Sequence, residues 1–364
     1  MRLHFYFARK FAKSFFGLSA VFILLTTLID LVEQLRRLGD TSASFGQVVE
    51  LTLLNAPDGF YTIMPLVMIL ATVVLYLGLA RSSELVVLRA SGRSALTSLI
   101  APVIVAAAIG MVAISVLNPI VAATSKQFSQ LYEFYSTGTE EVLSISSEGL
   151  WLRQADAEGQ TVIRAARANP QATVLYDVSF ISYGMTGPIR RIEAQSATLG
   201  AGNWRLTDAT VWPLTAGINP EAQVQNHTEL TLSSSLTKER ILEGFGKPSA
   251  ISIWNLPAHI DQLSQAGFSP RRHAVWFQME LAKPVFLIAM VLVAAAFTMR
   301  HVRFGKTGVS VLSAVMLGFG LYYVRNFAQI LGENGQIPVV LAAWAPPVAS
   351  VMLGLGILLH MEDG

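Results

Sequence analysis

Four groups of polar side chains sit where the surrounding sequence is greasy, and each has a definite chemistry open to it. Arg36 and Arg37 stand side by side at the end of an apolar run, just after Asp30, Glu33 and Gln34. Guanidinium is permanently charged and planar, and its fork of N–H donors matches the oxygens of a phosphate. The two arginines can therefore hold an anionic head group, or they can snorkel to a membrane surface as a plain anchor. Glu280 and Lys283, three residues apart in a second apolar run, fall on one helix face and can pair, and Pro284 beside them kinks that helix. The pair can be structural or can touch a substrate. Arg325 interrupts a third run without a local partner, which points to the wall of a cavity.

The fourth group is Arg81-Ser82-Ser83-Glu84-Leu85-Val86-Val87-Leu88-Arg89-Ala90-Ser91-Gly92. Ser82 or Ser83 can cap a helix N-terminus, Glu84 suits the positive end of its dipole, and Gly92 is a natural stop. The expectation is a helix of two to three turns, roughly 13 Å long at 1.5 Å per residue. It carries Leu85, Val86 and Leu88 where a plain loop would be polar. Such a stub either lies in the lipid interface or is gripped by a groove in a partner.

Other chemistries find no support. Gly305-Lys306-Thr307 resembles the end of a P-loop, but Arg300 stands where that motif needs its first glycine and no strand precedes it. There is no H-E-x-x-H motif, and the six histidines are scattered, so a metal site or histidine-based catalysis is not expected. With no cysteine there is no disulfide framework and no thiolate site. Asn226-His227-Thr228 matches a glycosylation sequon, a pattern short enough to arise by chance. A net charge of +2 is too small for a nucleic-acid binder.

The elements that must position these residues are mostly membrane-length. The 364 residues are 52% hydrophobic and 14% charged, with a mean hydropathy of +0.50. About 20 apolar residues cross a hydrocarbon core, and six runs qualify: Phe15–Val32, Gly59–Ala80, Leu96–Leu117, Ala274–Met299, Val309–Leu331 and Ile337–Leu359. The first is too long for a signal peptide and is not followed by a small-residue cleavage site, so it reads as an uncleaved anchor. Arg2, Arg9, Lys10, Lys13, Arg81, Arg89, Arg93, Arg300, Arg303 and Lys306 all fall on one side of the spans. The other side has Arg36, Arg37, Lys126, Arg271 and Arg272. The richer side is cytoplasmic by the positive-inside rule, which puts both termini inside.

Between the third and fourth spans lies a polar block that reads as β. Residues 149–154, 161–168, 173–183, 189–199, 203–213 and 224–236 are rich in Val, Ile, Thr, Trp and Tyr and are separated by Gly, Pro and Asn turns. Val174, Tyr176, Val178 and Phe180 alternate with more polar neighbours, as in a half-buried strand. An antiparallel sandwich or open jelly roll is expected, followed by a short amphipathic helix over 254–266. The fold class is thus an α-helical integral membrane protein with six transmembrane helices, three and three, around an inserted all-β, jellyroll-like domain on the outer side. Residues 1–123 hold spans one to three with the cytoplasmic helix at about 82–92. Residues 124–270 form the β domain with its C-terminal helix, and 271–364 the last three spans.

This layout resembles the lipopolysaccharide-export permease family (YjgP/YjgQ, or LptF/LptG). The stretch Arg81–Gly92 is similar to the family's coupling helix, most closely on the LptG side. Leu31–Gly39 (LVEQLRRLG) is similar to its segment with a basic pair after the first span, and Glu148-Gly149-Leu150-Trp151 to the start of its periplasmic domain. The resemblance covers essentially the whole chain and is most specific at the coupling helix.

The resemblance implies an ABC-type exporter of the bacterial inner membrane. Two paralogous permeases, LptF and LptG, would pair above a cytoplasmic ATPase dimer, LptB. ATP would be used by that partner, and this chain would bind no cofactor and have no ATPase site of its own. Arg81, Ser83, Glu84, Leu85, Val86, Leu88, Arg89 and Gly92 would couple to the ATPase. Arg36, Arg37 and Arg325 would meet lipopolysaccharide drawn from the membrane lipid, with the two adjacent arginines on lipid A phosphates. The cargo would then pass by the β domains to the periplasmic bridge, LptC and LptA. Many family members have lysine at the basic pair, and arginine keeps the charge with a different contact geometry. Two other classes stay open. A secondary transporter would need inverted repeats, and a membrane sensor or scaffold would need a cytoplasmic output motif.

Overall fold

Residues outside the apolar cores carry the helices beyond the spans that hydropathy marks out. The computed structural model describes every residue except 1, 40–42, 86, 88–94, 138–143, 147–148, 157–158, 170–172, 185–186, 201, 215–218, 235, 238–240, 242–246, 266–268, 300–306 and 363–364. Helix α1 runs Arg2–Leu38 and α2 Phe45–Arg81. Helix α3 spans Ala95–Val112, and a π-turn over Ala113–Leu117 joins it to α4, Asn118–Thr137. After the sheet come the short α5, Leu256–Gln265, then α6, Arg271–Thr298, α7, Thr307–Glu333, and α8, Val339–Glu362.

Six of these helical stretches are long and apolar enough to cross a membrane, as expected. A helix suits that setting because it satisfies its own backbone polar groups. The ends differ from the expected spans. Helix α1 continues in both directions past residues 15–32, and Glu33 pairs with Arg36 and Arg37 in its last turns, the spacing that stabilises a helix in water. Helix α2 begins earlier than expected because Ser44 opens it with a capping box: its hydroxyl accepts from Gln47 N, and Gln47 Oε1 accepts from Ser44 N.

The chain divides into two compact units. One comprises 1–137, 249–254 and 271–364, and the other 138–248 and 255–270. In the first, α6 is the central element, packed on α2, α3, α7 and α8, with nearly every side chain from Ala282 to Ala296 buried. Phe11, Tyr76, Met68 and Phe286 are the large side chains of that core. Pro284 of α6 passes so close to Gly110 of α3 that a Cβ there would lie 2.7 Å from its Cα.

In the second unit the strands are β1 Ser144–Ser146, β2 Gly149–Asp156, β3 Gly159–Ala168, β4 Val174–Gly184, β5 Gly187–Leu199, β6 Asn203–Pro213 and β7 Gln225–Ser233. The expected all-β insert is a single antiparallel sheet in which each strand pairs with its sequence neighbours, in the order β1 to β7. Gly202, at φ 77°, supplies the left-handed position that turns β5 into β6. One face is apolar, with Phe180 edge-on to Trp204 and Leu150, Ile163, Ile192 and Leu206 around them. Leu236, Ile241 and Leu263 of α5 pack on that face. Asp177 and Asp208 hold left-handed φ values of 53° and 52° inside their strands, both beside Gln195 of β5, where the ladder skips a pair.

Candidate functional site

The residues picked from the sequence fall into three settings within the helical unit. At the end of α1, Glu33 is shared by two arginines. Arg36 donates to it through both Nε (3.0 Å) and Nη2 (2.8 Å), and Arg37 donates through Nε (2.7 Å). The trio keeps one net positive charge. The Arg36 side chain is 75% exposed and that of Arg37 53%, so donors remain for an external anion. Gln34, by contrast, is buried and donates to Asp30 Oδ1.

The second setting follows α2. Ser82 closes α2 as its C-cap rather than opening the next helix, because its N–H bonds back to Gly78 and Ala80 carbonyls. Ser83 then takes a left-handed φ of 58°, and a helical turn restarts with Val87 N donating to Ser83 O. Glu84 Oε1 accepts from Ser82 Oγ at 2.7 Å and from Lys10 Nζ of α1 at 3.0 Å. Burial pushes the Glu84 carboxyl up, but the hydrogen bonds from Ser82 and Lys10 outweigh it and hold it below the usual carboxylate value. Leu85 is buried in the chain's own core, so it anchors the segment, while Val87 is 68% exposed. Arg81 ends α2 on the surface. Val86, Leu88, Arg89 and Gly92 lie outside the described residues.

The third setting is buried. Lys283 Nζ is 3.1 Å from Glu280 Oε1, and both side chains are less than a tenth exposed, so the expected i,i+3 pair forms. Two partners came from helices that sequence spacing could not reveal. The Tyr61 hydroxyl of α2 donates to Glu280 Oε2, and Asn118 Nδ2 at the start of α4 donates to the same oxygen at 3.4 Å. The Lys283 ammonium also lies over the Tyr61 ring, 3.0 Å from its centroid. Asn118 is engaged at both ends of its amide, since its Oδ1 also accepts from Ile253 N at 2.8 Å. Next to it the Trp254 indole donates to Ser115 O, a carbonyl within the π-turn. With Lys283 against one oxygen and hydrogen bonds to the other, the Glu280 carboxylate is tolerated in an apolar interior where a lone charge would not be.

Arg325 is buried on α7, its guanidinium 5.2 Å from the centroid of the Phe286 ring. It is therefore in a different environment from Arg36 and Arg37, which are exposed. An apolar cavity of about 100 Å³ is lined by Pro65, Ile69, Met290, Gly318, Phe319 and Tyr322 of α2, α6 and α7. It has room for a few methylene groups. Among the described residues no group of three or more histidine, aspartate or glutamate side chains is arranged to hold a metal ion.

Residues 5–360 match the family model described as lipopolysaccharide export system permease LptF/LptG. The chain is 24% identical over 374 residues to the lipopolysaccharide export system permease protein LptG of Haemophilus influenzae, covering 98% of both chains. It is 23% identical over 343 residues to the protein of the same name from Escherichia coli K12, covering 93% of this chain and 92% of that one. Both helical halves and the sheet fall within these matches.

Proposed function

The chain belongs to the LptF/LptG family of lipopolysaccharide export permeases, and from that premise we propose that it is one permease subunit of an ATP-driven exporter. It is a multi-pass membrane protein. In this reading it sits in the inner membrane with both termini cytoplasmic and its sheet in the periplasm, the orientation that its basic residues favour. A separate LptB-type ATPase dimer binds beneath it, an LptF-type paralogue stands beside it, and lipopolysaccharide leaves toward LptC and LptA. The observation that carries the proposal is the single family match across residues 5–360, through both helical halves and the sheet.

The geometry supports a division of labour. Arg36 and Arg37 offer exposed guanidinium donors with one net charge, suited to the phosphates of a lipid head group. The segment from Ser82 to Val87 is rooted in the bundle by Leu85 and exposes Val87, which suits a groove in a cytoplasmic partner. Arg325, over an aromatic ring in the bundle, contributes charge to the wall of the lipid path.

Co-purification in detergent tests this. Tagged wild-type chain is expected to bring down an ATP-hydrolysing subunit and a second permease, and Glu84→Arg is expected to lose the ATPase while keeping the permease. Wild-type chain that purifies alone, with no nucleotide-dependent partner, would overturn the reading.

A further inference from the structure

Helix α1 is a long rod held at its two ends. Phe7, Phe11 and Phe15 recur at every fourth residue and seat its first half in the core. Leu38 docks the far end against Val48 and Leu51 of α2. Between Ser19 and Gln34 no side chain of α1 is buried. In between, Phe22 and Leu31 pack only part-buried against the two cores, so a helix held most firmly near its ends can tilt with limited repacking of its middle.

Lys10 lies inside the first grip. Its ammonium is 3.0 Å from Glu84 Oε1 and 3.2 Å from the Tyr6 hydroxyl, and it lies 5.3 Å from the centroid of the Tyr6 ring. The ion pairs at Glu33 and Glu280 each stay within one helix, whereas this one joins α1 to the segment after α2. Both side chains are about one-third exposed, 33% and 32%, so the pair is partly shielded from solvent. The left-handed turn at Ser83 and the hydroxyl of Ser82 hold the carboxylate toward Lys10.

We propose that Lys10 is a positioning residue: through Glu84 it couples displacement of the segment after α2 to movement of α1, and so to the Arg36–Arg37 pair at the other end of that helix. The inference rests on the permease reading above, in which an ATPase moves this segment. From Lys10 to Arg36 the helix covers about 39 Å at 1.5 Å per residue, so one ion pair spans the bundle. Closure of the ATPase pulls on Glu84, Glu84 pulls on Lys10, and the phosphate-binding end shifts relative to α2. Arginine at position 10 would preserve the charge contact, and methionine would keep the length and lose it.

The test uses the full complex with its ATPase and second permease in lipid nanodiscs loaded with lipopolysaccharide. The chain has no cysteine, so spin labels can be placed at exposed Leu24→Cys on α1 and Met352→Cys on α8. Two readouts are taken: the ATP-induced change in label distance, and lipopolysaccharide released per ATP hydrolysed. Lys10→Met is expected to remove most of the distance change and to lower release per ATP about fivefold, while Lys10→Arg keeps both close to wild type. In a Glu84→Gln background, Lys10→Met should add nothing further, because the two act through one contact. An unchanged distance response in Lys10→Met, or losses that multiply with Glu84→Gln, would overturn the proposal. If wild type hydrolyses ATP but releases no lipopolysaccharide, the transport reading fails, and the distance response alone decides for or against Lys10. A wild-type α1 that does not move with ATP sinks the proposal by itself.

Discussion

At the scale of single residues, Glu33 governs how strongly the α1 arginines can attract an anion. It occupies three of their donors and cancels one of their two charges. Glu33→Gln should therefore tighten retention of lipopolysaccharide by about two- to fivefold at low ionic strength, with the gain shrinking as salt screens the exposed pair. Binding to labelled lipopolysaccharide across a salt series measures this. The Glu280 cluster obeys a different rule because it is buried. Glu280→Gln or Lys283→Met alone strands a charge and should cost about 3–5 kcal/mol, whereas the double change should cost less than either. Thermal unfolding in detergent of the three variants shows the non-additivity. Sequence spacing reveals the Glu280–Lys283 pair, since its members are three positions apart on one helix. It could not reveal Tyr61 and Asn118, which reach the same carboxylate from 219 and 162 residues away. The Lys10–Glu84 contact was hidden for the same reason, since its members are 74 positions apart.

Elements were legible where one period dominated. The six apolar cores stood out in composition, and six of the seven strands stood out by alternation and turn residues. Strand β1 did not, because three residues, Ser144–Ser146, are too few to display a period of two. The helices reach beyond the apolar cores because hydropathy reports only what lipid favours. The ion pairs of α1 and the capping box of α2 continue the helix in water. The segment after α2 shows the same limit: Ser82 has the side chain of an N-cap but sits where α2 must end. Packing between helices adds a constraint no single-element pattern carries. Gly110 has no room for a Cβ against the backbone of Pro284. Gly110→Val should destabilise the helical unit by about 1–3 kcal/mol, read as a lower unfolding temperature in detergent. Gly78→Ala serves as the control, since open space surrounds that glycine.

At the scale of the whole molecule, a strand-rich unit is inserted between two sets of helices, and among the described residues the two halves of the helical unit meet where α6 packs on α2 and α3 and where α7 packs on α2. The sheet keeps all its pairings between consecutive strands, whereas α6 must find α2 and α3 across more than a hundred intervening residues. Local pairings close quickly and distant ones slowly. Membrane-inserted chains truncated at residue 270 should therefore already protect Trp204 from protease, while cysteines placed at Tyr61 and Asn118 stay reactive until α6 is restored.

That order of pairing also fixes an order of birth. The sheet can be knitted hairpin by hairpin while the ribosome is still at work. The first three spans, meanwhile, wait in the bilayer with a tyrosine and an asparagine whose carboxylate has not yet been made. For that interval the nascent bundle is half a lock without its key, and the two polar groups must find water or another helix until Glu280 arrives.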